Sequence, residues 1–167
     1  MQINRRSTFS LALLAILPAR VWAEDRYCSP LVAGLSHCDA VGWTLDRSDA
    51  GVALMTHMSG ITASVSLRTG LSDQDMMWEN WQQSHAPISA RAEVLVVDWT
   101  SIDGRNATSA AYLPRHSVPP AVVVLTGHVA AGVALRVTTQ EIARSYTDLH
   151  RSVHADLLAA LKLDLPE

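Results

Sequence analysis

His150 and His154 are the side chains whose type and spacing point most directly to chemistry in this chain. On a helix, side chains four residues apart share a face, so two imidazoles can converge on one copper or zinc ion. His116, His128 or a carboxylate would have to supply a third ligand. A second set is Met55, His57 and Met58, with Met76 and Met77 further along. Thioethers and imidazole suit cuprous copper, and Met55 and His57 project from one face of a strand. Both sets also have a plain packing role open to them, because methionine fills cores and histidines at the border of an apolar stripe cover a core edge. On the last helix His150 and His154 fall at that border, where they are expected to be partly exposed.

Cys28 and Cys38 are the only cysteines. In an oxidising compartment a disulfide is the expected state, and the pair lacks the CxxC spacing of a redox or metal motif. Catalytic signatures are absent: there is no GxSxG elbow, no glycine-rich phosphate loop and no HExxH helix. Ser36-His37 and Ser84-His85 are adjacent in sequence, but a nucleophilic relay needs spatial alignment that adjacency does not provide.

The N-terminal 23 residues determine where such groups would operate. Arg5 and Arg6 precede an apolar run from Phe9 to Leu17, and Val21-Trp22-Ala23 places small residues where a signal peptidase reads, so cleavage is expected after Ala23. The run is shorter than the roughly 20 residues a membrane-spanning helix needs, and no later segment reaches that length, so no transmembrane anchor is expected. The paired arginines leave both general secretion and twin-arginine export open. The whole chain has 13 basic and 16 acidic residues, and the leader removes Arg5, Arg6 and Arg20 but no acid. The mature chain is therefore acidic, which argues against nucleic acid as a partner.

Residues 24–39 read as an N-terminal disulfide loop and 40–167 as a single α+β domain, an antiparallel β-sheet with two packed amphipathic helices. Alternation predicts strands over Val41–Asp46, Val52–Met58 and Ile61–Arg68, forming an antiparallel meander with one buried and one wet face. Ser72 and Asp75 cap a helix through about Ser84, which Pro87 stops. Its stripe of Met77, Trp78, Trp81 and His85 is expected to pack on the sheet. Ala92–Trp99 follows, its unbroken Val94–Val97 run predicting a central strand covered on both faces. Strands over Asn106–Leu113, Ala121–Thr126 and Val133–Val137 come next, with a turn over Gly127–Gly132. Thr138 and Glu141 then open a last helix whose buried stripe is Ile142, Tyr146, Leu149, Val153, Leu157 and Leu161.

Gly42-Trp43-Thr44-Leu45 opening the first strand, the amphipathic stretch Ser72–His85 and the closing Thr138–Leu161 segment together resemble the PsbP-like α/β sandwich, including the DcrB type of bacterial envelope protein. The resemblance covers about residues 40–163 and implies a non-catalytic accessory or binding role, with no catalytic residue to carry over. The function expected is that of an exported, periplasmic or secreted, non-catalytic accessory protein that contacts a protein partner in the cell envelope and needs no cofactor. A periplasmic copper- or zinc-binding protein is the alternative, and a small envelope enzyme is a second. The enzyme would require a concave pocket with paired titratable groups.

Overall fold

A computed structural model of the chain describes residues 27–49 and 51–164. The expected leader and its cleavage point at Ala23 lie outside the described residues.

Two short strands, β1 (Cys28–Val32) and β2 (Leu35–Cys38), form a hairpin. A meander follows, of β3 (Trp43–Asp49), β4 (Val52–His57) and β5 (Thr62–Arg68), and then helix α1 (Asp73–Ser89). Strands β6 (Ala92–Ile102), β7 (Arg105–Pro114), β8 (Val122–Ala130) and β9 (Val133–Glu141) lead to helix α2 (Asp148–Ala160) and a short β10 (Leu161–Leu163). The main sheet is antiparallel, with seven strands in the order β3-β4-β5-β9-β8-β7-β6. A three-stranded sheet is ordered β1-β2-β10. The α+β class, the antiparallel sheet and the two packed helices are as expected.

The strict alternation of β5 has the predicted consequence. Ala63, Val65 and Leu67 point into the core, with Ile61 buried just before them. They meet Met55 of β4, Leu135 and Val137 of β9, and Val153, Leu157 and Leu158 of α2. This core occupies one side of the large sheet, between it, α2 and the small sheet. Leu31, Val32 and Leu35 of the hairpin belong to it. Residues 28–38 are thus a packed hairpin and not the loop expected, because three apolar side chains reach the core.

Cys28 and Cys38 face each other across the hairpin and are disulfide-bonded. On the chain-entropy model, closing a loop with a sequence separation of 10 stabilises by about 2 to 3 kcal/mol. Cys28→Ser with Cys38→Ser should therefore lower the unfolding free energy in urea by that amount. An unchanged midpoint would show that the bridge does not constrain the unfolded chain.

Four sequence expectations are corrected. Val94–Val97 lies in β6, an edge strand of the large sheet, with Val94, Val96 and Val97 exposed. An apolar run marks a central strand only if neighbours cover it, and β9 takes the place beside β5. A register irregularity between Val94 and Val96, together with Glu93 and Asp98, interrupts the open edge, as natural edge strands commonly do. Residues 127–130 continue β8, and the turn is confined to Ala131-Gly132 because the β8–β9 register runs through to Ala130 and Val133. Helix α1 passes through Pro87 to Ser89. In the last turn the missing N–H removes one helical bond while Ala90 N–H still donates to Ala86 O. Finally, Thr138–Glu141 extends β9, and α2 starts at a Thr147 cap whose hydroxyl accepts from His150 N–H at 2.9 Å. Ile142 and Leu149, expected in the buried stripe, are exposed.

Candidate functional site

Helix α1 docks with its polar side inward. Ser72 and Asp75 form the reciprocal cap the sequence predicts, each backbone N–H donating to the other's side chain at 3.2 Å. The residues the helix buries are Glu79, Gln83 and Pro87. The reason lies in the sheet face beneath it, the side away from the core, where β5 presents Arg68 and β9 presents Arg136. Glu79 pairs with both, with Arg136 Nη2 donating to Oε2 at 3.0 Å and Arg68 to Oε1. Arg136 Nη2 also donates to Gln82 Oε1 at 3.2 Å. Gln83 lies over Gly127 of β8, where a Cβ would come within 1.8 Å of Gln83 Oε1, so only glycine admits this amide.

With the polar side inward, the aromatic stripe expected to pack on the sheet faces solvent instead. Trp78 and Trp81 are 53% and 49% exposed, and Met77 is 74% exposed. The rings form a column: Trp78 stacks on Trp81 at 4.7 Å between centroids, and Trp81 stacks on His85 at 4.4 Å. His85 Nδ1 is 2.9 Å from Trp81 O, which fixes the imidazole on the column. Trp78, Trp81, Met77, Gln74 and Asp75 line an open depression of about 580 Å³. The residues around it include Asp73 and Asp75 in the first helical turn, so the display is aromatic with an acidic end.

On the opposite side of the sheet His150 and His154 are buried at 0% and 4% exposure, not placed at a wet border. The helix begins nine residues later than the cap at Thr138 implied, so its buried stripe becomes His150, Val153, His154, Leu157 and Leu158. The two imidazoles do converge, on the hydroxyl of Thr139 in β9. His150 Nε2 lies 2.9 Å from Thr139 Oγ1, and His154 Nδ1 lies 2.8 Å from it. His154 Nε2 is 2.7 Å from Thr126 Oγ1, which donates to Ser109 Oγ at 2.8 Å.

Each hydroxyl has one proton, so that last bond orders the rest. Thr126 accepts from His154 Nε2–H, His154 Nδ1 accepts from Thr139, and Thr139 accepts from His150 Nε2–H. His150 Nδ1 is then a bare nitrogen 3.5 Å from Glu141 Oε2, without a hydrogen-bond partner. Thr147 donates to the same carboxylate oxygen at 2.8 Å. Burial pushes the His150 pKa down while the Glu141 carboxylate pulls it up, and lowering prevails. Burial, with His150 beside it, pushes His154 down to about 3. Both rings are neutral at pH 7, and the arrangement is a continuous hydroxyl–imidazole chain from Ser109 to His150 in an otherwise apolar layer. Thr126 and Thr139, which complete it, carried no sequence signal beyond ordinary strand residues.

The methionine set is not gathered at one point. Met55 is fully buried in the core and Met58 is exposed in the turn after β4. His57 lies between them, its ring 5.2 Å from that of Trp43 and its Nδ1 2.8 Å from Ser59 Oγ. Among the described residues no three His, Cys, Asp or Glu side chains are placed to hold one metal ion. Among them, too, no helix is long and apolar enough to cross a membrane.

No family model matches the sequence, and no curated protein matches it. Solved structures share its fold. A crystal structure of a protein from Bacteroides thetaiotaomicron superposes over 83% of this chain with a TM-score of 0.54 at 11% identity. That match covers 47% of the other chain, so this protein spans about half its length. The solution structure of cyanobacterial PsbP from Synechocystis matches over 83% of this chain and 91% of its own, with a TM-score of 0.48 and 13% identity. The likeness to the Bacteroides structure, at this identity, is one of fold alone.

Proposed function

We propose that this is an exported, non-catalytic accessory protein that binds a protein partner in the cell envelope through the outward face of α1. The observation that carries the reading is the Trp78–Trp81–His85 column turned to solvent on a helix whose docking uses none of it. Exposed aromatic clusters of this kind are uncommon on surfaces that touch only water, and tryptophan dominates the energetics of protein contacts. A disulfide-bonded hairpin and an N-terminal leader pattern support an extracytoplasmic setting.

Two measurements test this reading. Fractionation with N-terminal sequencing should find the chain outside the cytoplasm, beginning near Glu24; an intact leader on cytosolic protein would end the export part. A photocrosslinking residue at Trp78 should give a discrete protein adduct in the envelope, and one at Arg47 on the far strand should give none. Trp81→Ala should abolish the adduct while moving the folding free energy by less than about 0.5 kcal/mol, as expected for a side chain outside the core. If Trp81→Ala unfolds the protein, or if no adduct forms at Trp78, the α1 face is not the docking surface.

A further inference from the structure

A cavity of about 300 Å³ lies on the core side of the large sheet, between α2 and the outer strand β6. We propose that it is a binding site for a small amphipathic zwitterion, an α-amino acid with an apolar side chain.

Charge and shape support this assignment together, and neither depends on the α1 face. Arg151 lines the cavity from the α2 wall and Asp98 lines it from the β6 wall. Neither forms an ion pair with the other or with any other described residue. Arg151 is instead held over the ring of Tyr146, with Cζ 5.2 Å from the centroid. Asp98 Oδ1 accepts from Trp99 N–H at 2.8 Å, which leaves its other oxygen uncommitted. A ligand with a carboxylate alone would answer Arg151 and face Asp98 as a like charge; an amine alone would do the reverse. A zwitterion satisfies both.

The remaining walls fit the rest of such a molecule. Tyr146 flanks the cavity with aromatic surface, and Leu158 supplies an apolar floor. Ser109 opens into the same space, and Thr126 behind it holds its hydroxyl in place. The volume is at the lower end of the range for small-molecule sites, which suits a ligand of roughly a dozen heavy atoms.

The test is calorimetric titration of the full exported chain with L-phenylalanine, 3-phenylpropionate and 2-phenylethylamine. L-Phenylalanine should bind with a dissociation constant between about 10 µM and 1 mM, and each singly charged analogue should bind at least about tenfold more weakly. Arg151→Gln and Asp98→Asn should each weaken L-phenylalanine about tenfold or more, while Asp98→Asn should strengthen 3-phenylpropionate. Both side chains are exposed, so these variants should keep the wild-type melting temperature. Ala155→Trp, which fills the space from the α2 wall, should abolish binding. No heat with L-phenylalanine up to about 10 mM would overturn the assignment. So would equal affinity for 3-phenylpropionate, or an Arg151→Gln protein that binds like the wild type.

Discussion

Acidification from pH 7 to pH 4.5 should remove about 3 kcal/mol of folding stability through His154 alone. In the folded protein burial holds this imidazole down to about 3, from an ordinary value of 6.5. In the unfolded chain it takes up a proton as soon as the pH falls below about 6.5. The unfolded state therefore binds more protons between those two values, and stability is complete above 6.5 and lost progressively as pH falls toward 3. Each unit within that window is equivalent to about 1.4 kcal/mol, so two units below 6.5 give the stated loss. The structure explains why the folded state resists the proton. His154 Nδ1 already accepts from Thr139 and Nε2 already donates to Thr126, so a charged ring would force the Thr139 hydroxyl to turn away. Urea unfolding between pH 7.5 and 4.5 measures the slope. His154→Gln keeps a donor and an acceptor at this position without titrating, so it should be less stable at pH 7.5 and show a flatter pH profile. A variant whose profile is as steep as the wild type's would place the acid sensitivity elsewhere.

Replacement of Glu79 by alanine should destabilise the protein by about 3 kcal/mol. The carboxylate is 6% exposed and is the shared partner of Arg68 and Arg136, so its loss leaves two guanidinium groups against a buried methyl. Removing one partner of a buried ion pair commonly costs about 3 to 5 kcal/mol. The lower end applies because Arg68 is half exposed and Arg136 one third exposed, so both can regain water. Arg68→Ala should for the same reason cost less than about 1 kcal/mol. Far-ultraviolet circular dichroism with chemical denaturation separates these outcomes. A Glu79→Ala protein within about 1 kcal/mol of wild type would mean that α1 is held chiefly by something other than this carboxylate.

These two expectations rest on residues that sequence reading treated unequally. The period-2 pattern of β5 identified its buried residues, because with a single core the apolar set must all face it. The Ser72–Asp75 cap was equally plain, since capping is a local matter of adjacent backbone groups. The orientation of α1 was not plain. An apolar stripe is ordinarily turned toward the sheet, but that presumes the sheet offers an apolar face. Here the core lies on the other side, and the face under α1 carries Arg68 and Arg136, brought together by the pairing of β5 with β9. That pairing joins residues some 70 positions apart, and no local pattern encodes it. The exposure of Val94–Val97 follows from the same long-range order, which leaves β6 at an edge.

The histidines show a second kind of ambiguity. Thr138 and Glu141 match a helix cap and also a strand alternation, and the choice between them sets the phase of everything that follows. Starting the helix at Thr147 rotates His150 and His154 into the interior. Their spacing was read as able to hold one metal ion; the group between the two rings is the Thr139 hydroxyl of the neighbouring strand, which no local pattern indicated.

Because α1 is fastened through the Glu79 ion pairs and buries Gln83 and Pro87, the outward positions 77, 78, 81 and 85 lie outside its anchorage. On the proposed reading, in which this face meets a partner, those side chains can be exchanged with little change to what holds the helix on the sheet. The helix would then be an interchangeable key blade on a fixed bow, its contact surface free to change apart from its anchorage.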